Sequence, residues 1–205
     1  MNTLILFTFF KGLSVGAGLI IAIGAQNAFV LKNGITRKHV FTMAIICSLI
    51  DAIMIYIGVS GLGHFIAEST VLLNIAKYGG ALFLFYYGTK SFYSAVYIAH
   101  SIANADINDS NNLKKTIITL LTLSLLNPHL YLDTLVLLGS IGAQIAENQR
   151  IYFTIGAVCA SFLWFFSLAY GARYLSPLFK KPVSWKILDA IIGIIMWAIA
   201  GSLLI

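Results

Sequence analysis

From Thr116 to Gly142 the chain reads TIITLLTLSLLNPHLYLDTLVLLGSIG. A helix that crosses a bilayer needs about 20 mainly apolar residues, and this run has 27. Its interior carries Asn127-Pro128-His129 and then Asp133. Proline removes an N–H and collides with the preceding turn, so the carbonyls near Ser124 and Leu125 lose their usual partners. Such a break survives at membrane depth only where protein or water satisfies the freed backbone. His129 and Asp133 lie four residues apart, on one helical face. With Asn127 and Tyr131 within two turns, the segment reads as a broken membrane helix that carries a site, or more simply as a hydrogen-bonded kink.

Five more apolar runs flank it: Leu4–Leu31, interrupted by Lys11, then Val40–Gly63, Val71–Thr89, Ile151–Ala172 and Ile187–Ile205. The composition agrees. Of 205 residues, 60% are hydrophobic and 10% charged, with a mean hydropathy of +0.92. Soluble domains carry about a quarter charged residues. The expectation is an all-α integral membrane protein of six transmembrane helices in one domain spanning residues 1–205. The apolar N-terminal run lacks the basic start of a signal peptide and reads as a retained helix. Asn104–Asn112 reads as a flexible loop.

The net charge is +6, from 13 Lys and Arg against 7 Asp and Glu. These cations sit in short loops between apolar runs, so nucleic acid is not an expected partner; the lipid bilayer is. The loops after the first, third and fifth runs hold ten of the 13 cations (Lys32, Arg37, Lys38; Lys90, Lys114, Lys115; Arg173, Lys180, Lys181, Lys186). By the positive-inside rule these odd loops face the cytoplasm and both termini face out. Three helices followed by three, each half starting from the opposite side, is the arithmetic of an inverted repeat. The first helix of each half is interrupted, at Gly24-Ala25-Gln26-Asn27 and at Asn127-Pro128-His129. Cys47 and Cys159 lie far apart in apolar runs, with no Cys/His cluster, so neither a metal nor another cofactor is expected.

Ionisable groups inside a bilayer cost several kcal/mol and are expected to line an interior or a pathway. Asp51 lies eleven residues into the second run, about 17 Å deep, and Lys77 thirteen residues before Lys90, about 20 Å from the same face. A short loop joins their helices, so the spacing predicts an Asp51–Lys77 ion pair, either static glue or a pair that opens for substrate or proton. Gly24 permits local unwinding, and freed N–H groups there suit a carboxylate. Gly16, Gly18, Gly79, Gly80 and Gly193 read as packing residues. Asp189, near Lys186, reads as interfacial; Glu68, Glu147, His39, His64 and His100 read as loop residues. Trp164, Phe165 and Phe166 read as a packing or lipid-facing cluster.

Ile20-Ile21-Ala22-Ile23-Gly24-Ala25-Gln26-Asn27-Ala28-Phe29-Val30-Leu31, with Gly34-Ile35 and basic residues after it, resembles the N-terminal signature of LysE-type exporters, the lysine and arginine efflux family. Leu126-Asn127-Pro128-His129-Leu130-Tyr131-Leu132-Asp133-Thr134, with Leu138-Gly139-Ser140-Ile141-Gly142, is similar to the second signature. Lys77-Tyr78-Gly79-Gly80 and Ala160-Ser161-Phe162-Leu163-Trp164-Phe165 also fit, and the histidine after Asn127-Pro128 is closer to the arginine branch. Four positions depart. Ile23 and Ala25 flank Gly24 where relatives have proline, Leu125 replaces a tryptophan, and Asp189 replaces an asparagine.

The resemblance implies export of L-arginine, with L-lysine and basic analogues as further substrates, across a bacterial cytoplasmic membrane, driven by the proton-motive force. In that reading Asp51 and Asp133 receive cations, while Asn127, Gln26, Asn27 and loosened backbone take the carboxylate. Lys77 holds Asp51 ionised until substrate competes, and a proton arriving from outside releases the cation. His129 and Pro128 belong to the break. Two rivals stand beside it. Gly58-Val59-Ser60-Gly61 with His129 resembles the serine and base of a rhomboid-like intramembrane protease, and a passive channel would serve the same substrate.

Overall fold

The computed structural model describes residues 2–21, 24–61, 70–97 and 112–204. Within them the chain is helical: α1 (Asn2–Ile20), α2 (Ala25–Ile35), α3 (Val40–Val59), α4 (Thr70–Tyr97), α5 (Leu113–Leu125), α6 (Pro128–Tyr131), a π-helical stretch Leu132–Leu138, α7 (Gly139–Ala143), α8 (Glu147–Gly171), a 3-10 stretch Ala172–Lys180, and α9 (Pro182–Leu204). Of the residues singled out from sequence, Ala22, Ile23, His64, Glu68, His100 and the loop 104–111 lie outside those described.

Four stretches are long and apolar enough to cross a membrane: Thr3–Ile20, Val40–Val59, Glu147–Phe179 and Pro182–Leu204. Leu113–Leu125 and His129–Ala143, bent by 62°, make a fifth when taken as one broken span. This is a multi-pass helical membrane protein with both expected interruptions. The large apolar side chains left on its surface, such as Phe7, Ile53, Leu82 and Ile194, are those a lipid-facing bundle presents.

Two boundaries differ most from the sequence reading. The third helix runs on past Lys90 to Tyr97 because its last turns are held by rings: Phe92 meets Trp197 of α9 edge-on at 5.1 Å between centroids. After α8 the chain keeps turning as a 3-10 helix through Pro177, a residue that denies an α-helix interior its hydrogen bond. The remaining limits follow local chemistry. Asn112 caps α5 by accepting the Lys115 N–H at 3.2 Å, and Pro182 opens α9 where a missing N–H costs nothing.

The main partners are α1 on α8, α3 on α8, and α4 on α9. The α1/α8 seam depends on small residues. A methyl added at Gly12 would run into the Phe153 carbonyl oxygen, and one at Gly156 into the Phe9 carbonyl oxygen. Bare backbone on both sides lets the two helices touch, the usual device where lipid supplies no hydrophobic drive between helices. Gly16 and Gly80 pack in the same way against the backbones of Ala157 and Leu126, and Gly193 lies against the Phe92 ring, whereas Gly18 meets nothing and Gly79 makes only ordinary contact. In soluble terms α3 and α4 would be hairpin neighbours. Here α3 turns to α8 and the π stretch while α4 turns to α9, so the depth match between Asp51 and Lys77 does not bring them together.

Candidate functional site: a cavity where two broken helices meet

Carbonyls beside both breaks find other donors nearby. At the second break the carbonyls of Ser124 and Leu125 lose their helical partners, as Pro128 requires. Ser124 instead accepts the Asn127 N–H at 3.2 Å, and Leu125 accepts the Tyr131 hydroxyl at 2.7 Å. The Asn127 side-chain oxygen accepts the His129 N–H at 3.1 Å and so starts the next helical turn. At the first break the Asn27 amide donates to the Ile20 carbonyl at 3.1 Å, across the gap between α1 and α2. Tyr131→Phe is expected to cost about 1 kcal/mol of stability, because the Leu125 carbonyl loses its donor. Thermal unfolding in detergent measures this.

Gly24 ends this gap as the residue before α2, with φ −119° and ψ 174°. That is ordinary extended backbone, and a methyl there would meet nothing within 4 Å. The break therefore does not depend on glycine's freedom. Gly24, the residue at the cap position of α2, has no side chain to accept its first N–H groups, so an acceptor must come from beyond the helix.

What sits beyond is a cavity of about 250 Å³, near the lower end of the range for small-molecule sites, roughly 300–1,000 Å³. Both breaks line it: Gly24, Ala25, Gln26 and Asn27 from the first, Leu126, Asn127, His129 and Leu130 from the second. Asp51 reaches it from α3, and Asp133 and Thr134 from the π stretch. Phe83, Leu84, Phe165 and Ile199 supply apolar wall. Among the described residues that line it there are two carboxyls, and no lysine or arginine.

Asp51 is 4% exposed and accepts the Ser161 hydroxyl of α8 at 2.8 Å. Asp133 is half-buried and His129 exposed, so the acid floor lies deeper than its rim. A π-helical stretch widens the turn by one residue and recurs at functional sites; here it carries Asp133. Gln26 is 8% exposed and its Nε2 has no hydrogen-bond partner among the described residues. Gln26 is also one of the residues that line the cavity. Trp164 donates its ring N–H to the Asn27 side-chain oxygen at 3.3 Å.

Six candidate residues therefore converge (Asp51, Asn127, His129, Asp133, Gln26 and Asn27), with Gly24 beside them. Lys77 does not line the cavity, and the expected Asp51–Lys77 pair is not formed: Asp51 is held by Ser161, while the Lys77 ammonium stands 6.0 Å from the Tyr78 ring. Lys77→Met is accordingly expected to change efflux less than about twofold, and exchanging the two charges should not rescue a neutral residue at 51. Labelled efflux from loaded vesicles tests both. The ion pair seen among the described residues is Lys32–Asp189. Lys32, counted above with the loop cations, lies inside α2, and Asp189 is its partner.

Ser161, Trp164 and Phe165 are the residues that sequence reasoning missed. The aromatic cluster was read as packing, yet Phe165 lines the cavity and Trp164 orients Asn27. A buried indole N–H must find an acceptor, and that requirement was the available signal. Ser60, the serine of the protease reading, is exposed at the end of α3, does not line the cavity, and donates its hydroxyl to the Ile57 carbonyl at 2.9 Å. Among the described residues no group of three or more His, Cys, Asp or Glu could hold a metal ion.

The model of the LysE type translocator family matches residues 17–205. The chain belongs to the LysE-type translocators. Among curated relatives it is similar to the arginine exporter protein ArgO of Salmonella schwarzengrund, 38% identical over 195 residues covering 95% of this chain and 92% of that protein. ArgO of Klebsiella pneumoniae is 39% identical over 199 residues, 97% and 94% of the two chains, and ArgO of Shigella flexneri 38% identical over 195 residues, 95% and 92%. No solved structure matches the chain. Membership in this translocator family makes the chain a transporter rather than an enzyme.

Proposed function

We propose that the chain exports L-arginine, with L-lysine and basic analogues as further substrates, from the cytoplasm across the bacterial inner membrane. One observation carries the reading: a cavity of amino-acid size has two carboxyls and no lysine or arginine among its described lining. Arginine complements it. Its guanidinium forms charge-assisted, bidentate pairs with carboxylates, which Asp51 and Asp133 offer. Its own carboxylate suits the uncapped first turn of α2 together with Gln26 and Asn127. The likeness to proteins named arginine exporters points the same way.

Coupling follows from the same acids. A proton that reaches Asp51 or Asp133 from outside removes the charge that holds the cation, so substrate leaves and the carrier resets. A passive channel would instead let substrate run downhill whether or not a proton gradient exists. The six-span arrangement belongs to this reading, with α1–α2 as the first crossing, α4 the third, and the bent pair the fourth. Its odd loops face the cytoplasm because they hold most of the cations. The packing of α3 on α8 and of α4 on α9 suits a two-fold that relates the halves of an inverted repeat.

In cells that lack their own exporter, expression of this chain should confer resistance to a toxic arginine analogue. Collapse of the proton gradient should abolish that resistance. Unchanged sensitivity on expression would count against the substrate, and resistance that survives the collapse against the coupling.

A further inference from the structure

Lys32, Asp189 and Ser94 come from α2, α9 and α4 and meet in one cluster. Lys32 pairs with one Asp189 oxygen, and the Ser94 hydroxyl donates to the other at 2.6 Å. The Asp189 side chain is 7% exposed and that of Lys32 29%, so the acid is enclosed while the cation reaches toward the surface. None of the three lines the cavity.

Their position relative to the cavity is fixed by helical rise. Along α2, Lys32 lies six residues beyond Gln26, about 9 Å. Along α4, Ser94 lies ten residues beyond Leu84, and along α9, Asp189 lies ten residues before Ile199, each about 15 Å. All three helices thus lead from the cavity to the cluster, on the face that carries the turn Thr36–His39. The space between is filled by apolar groups. Phe29 meets Tyr87 edge-on at 6.1 Å and Tyr87 meets Phe83 at 6.1 Å, with Leu188, Ile192 and Met196 buried in the same core. Between the cavity and this face stand first these rings and then the ion pair.

We propose that Lys32, Asp189 and Ser94 form an access gate to the cavity, in which the Lys32 ammonium occupies an acid subsite that the substrate's cation takes over when the gate opens. The pair is suited to exchange. A lysine ammonium is a point charge on a flexible stem, whereas a guanidinium matches a carboxylate with two parallel hydrogen bonds. An arriving arginine therefore replaces like with better, and freeing Lys32 unties α2 from α4 and α9. The substrate part of this inference rests on the export reading; the gate does not.

The test uses the full chain in vesicles, with Cys47 and Cys159 replaced by alanine and a single reporter, Thr122→Cys, in the cavity wall. A membrane-impermeant maleimide is applied to either face. The double variant Lys32→Met, Asp189→Asn should label about tenfold faster than the parent from the Thr36–His39 face, the population shift expected from the loss of a charge-assisted bond. Labelling from the opposite face should stay unchanged. The exchange Lys32→Asp with Asp189→Lys should return toward the parent rate. A double variant that labels at the parent rate overturns the gate. If the double variant labels fast from both faces because it unfolds, Ser94→Ala decides: faster labelling from the one face supports the gate, and the parent rate overturns it.

The acid subsite has its own readout. Asp189→Asn should raise the KM for arginine about tenfold, while Lys32→Met, which frees the acid, should lower it. Shifts of the same sign would overturn the subsite and leave the labelling result standing. If arginine fails to slow labelling of the reporter in the parent, the export reading fails separately from the gate.

Discussion

Asp51→Asn is expected to cut arginine efflux by about a hundredfold while the chain stays inserted and folded. The amide keeps the volume of the carboxyl and can still accept the Ser161 hydroxyl, which now lies at 2.8 Å from the acid. Local structure therefore survives. What disappears is a buried negative charge in a cavity that has no lysine or arginine in its described lining. Truncating one side of a buried, hydrogen-bonded charge pair costs 2–5 kcal/mol, much of it from the charge left alone, and here that charge would be the substrate's. Ser161→Ala, which removes only a neutral donor to the acid, should have a smaller effect of about fivefold. Comparable losses from the two substitutions would mean that Asp51 acts through packing and not through charge.

Gly80→Val is expected to destabilise the protein by about 3 kcal/mol, at the upper end of the cost of overpacking. A methyl at this position runs into the Leu126 carbonyl oxygen, and both partners are backbone, so no side chain can swing aside. Leu126 sits at the end of α5 in the bend itself, so α4 would be pushed off the fourth segment and the cavity wall would open between Gly80 and Leu126. Gly18→Ala is the control. It meets nothing within 4 Å, and replacing a helical glycine by alanine gains roughly 0.5–1 kcal/mol. Thermal unfolding in detergent should move the two variants in opposite directions, and a fall in both would assign the effect to helix propensity instead of contact.

The sequence was informative wherever a local rule acts on a few neighbouring residues. Pro128 dictates which carbonyls are freed, and Ser124 and Leu125 are indeed the ones bonded in non-helical ways. Asp51, Asp133, Gln26 and Asn127 stood out because polar groups in apolar runs are expensive, and they meet in one cavity. Pairing across the bundle was not legible. Depth along a helix is readable from residue counts, but azimuth and neighbour are set by packing, and α3 turns to α8 instead of α4. The same limit hid Ser161, 110 residues from Asp51, and joined Lys32 to Asp189 across 157 residues. Gly24 marks a subtler gap: it lies at the break, yet its backbone is ordinary and extended, so its residue type was not the cause.

The decisive comparison is efflux of labelled L-arginine against labelled citrulline, its near-isosteric uncharged counterpart, from vesicles loaded equally with both and holding the wild-type chain or Asp51→Asn. Arginine should leave the wild-type vesicles while citrulline stays, and Asp51→Asn should hold arginine back to the rate of empty vesicles. Citrulline leaving as fast as arginine, or arginine leaving through Asp51→Asn at the wild-type rate, would contradict the assignment of this acid-lined cavity as the place where the exported cation is held.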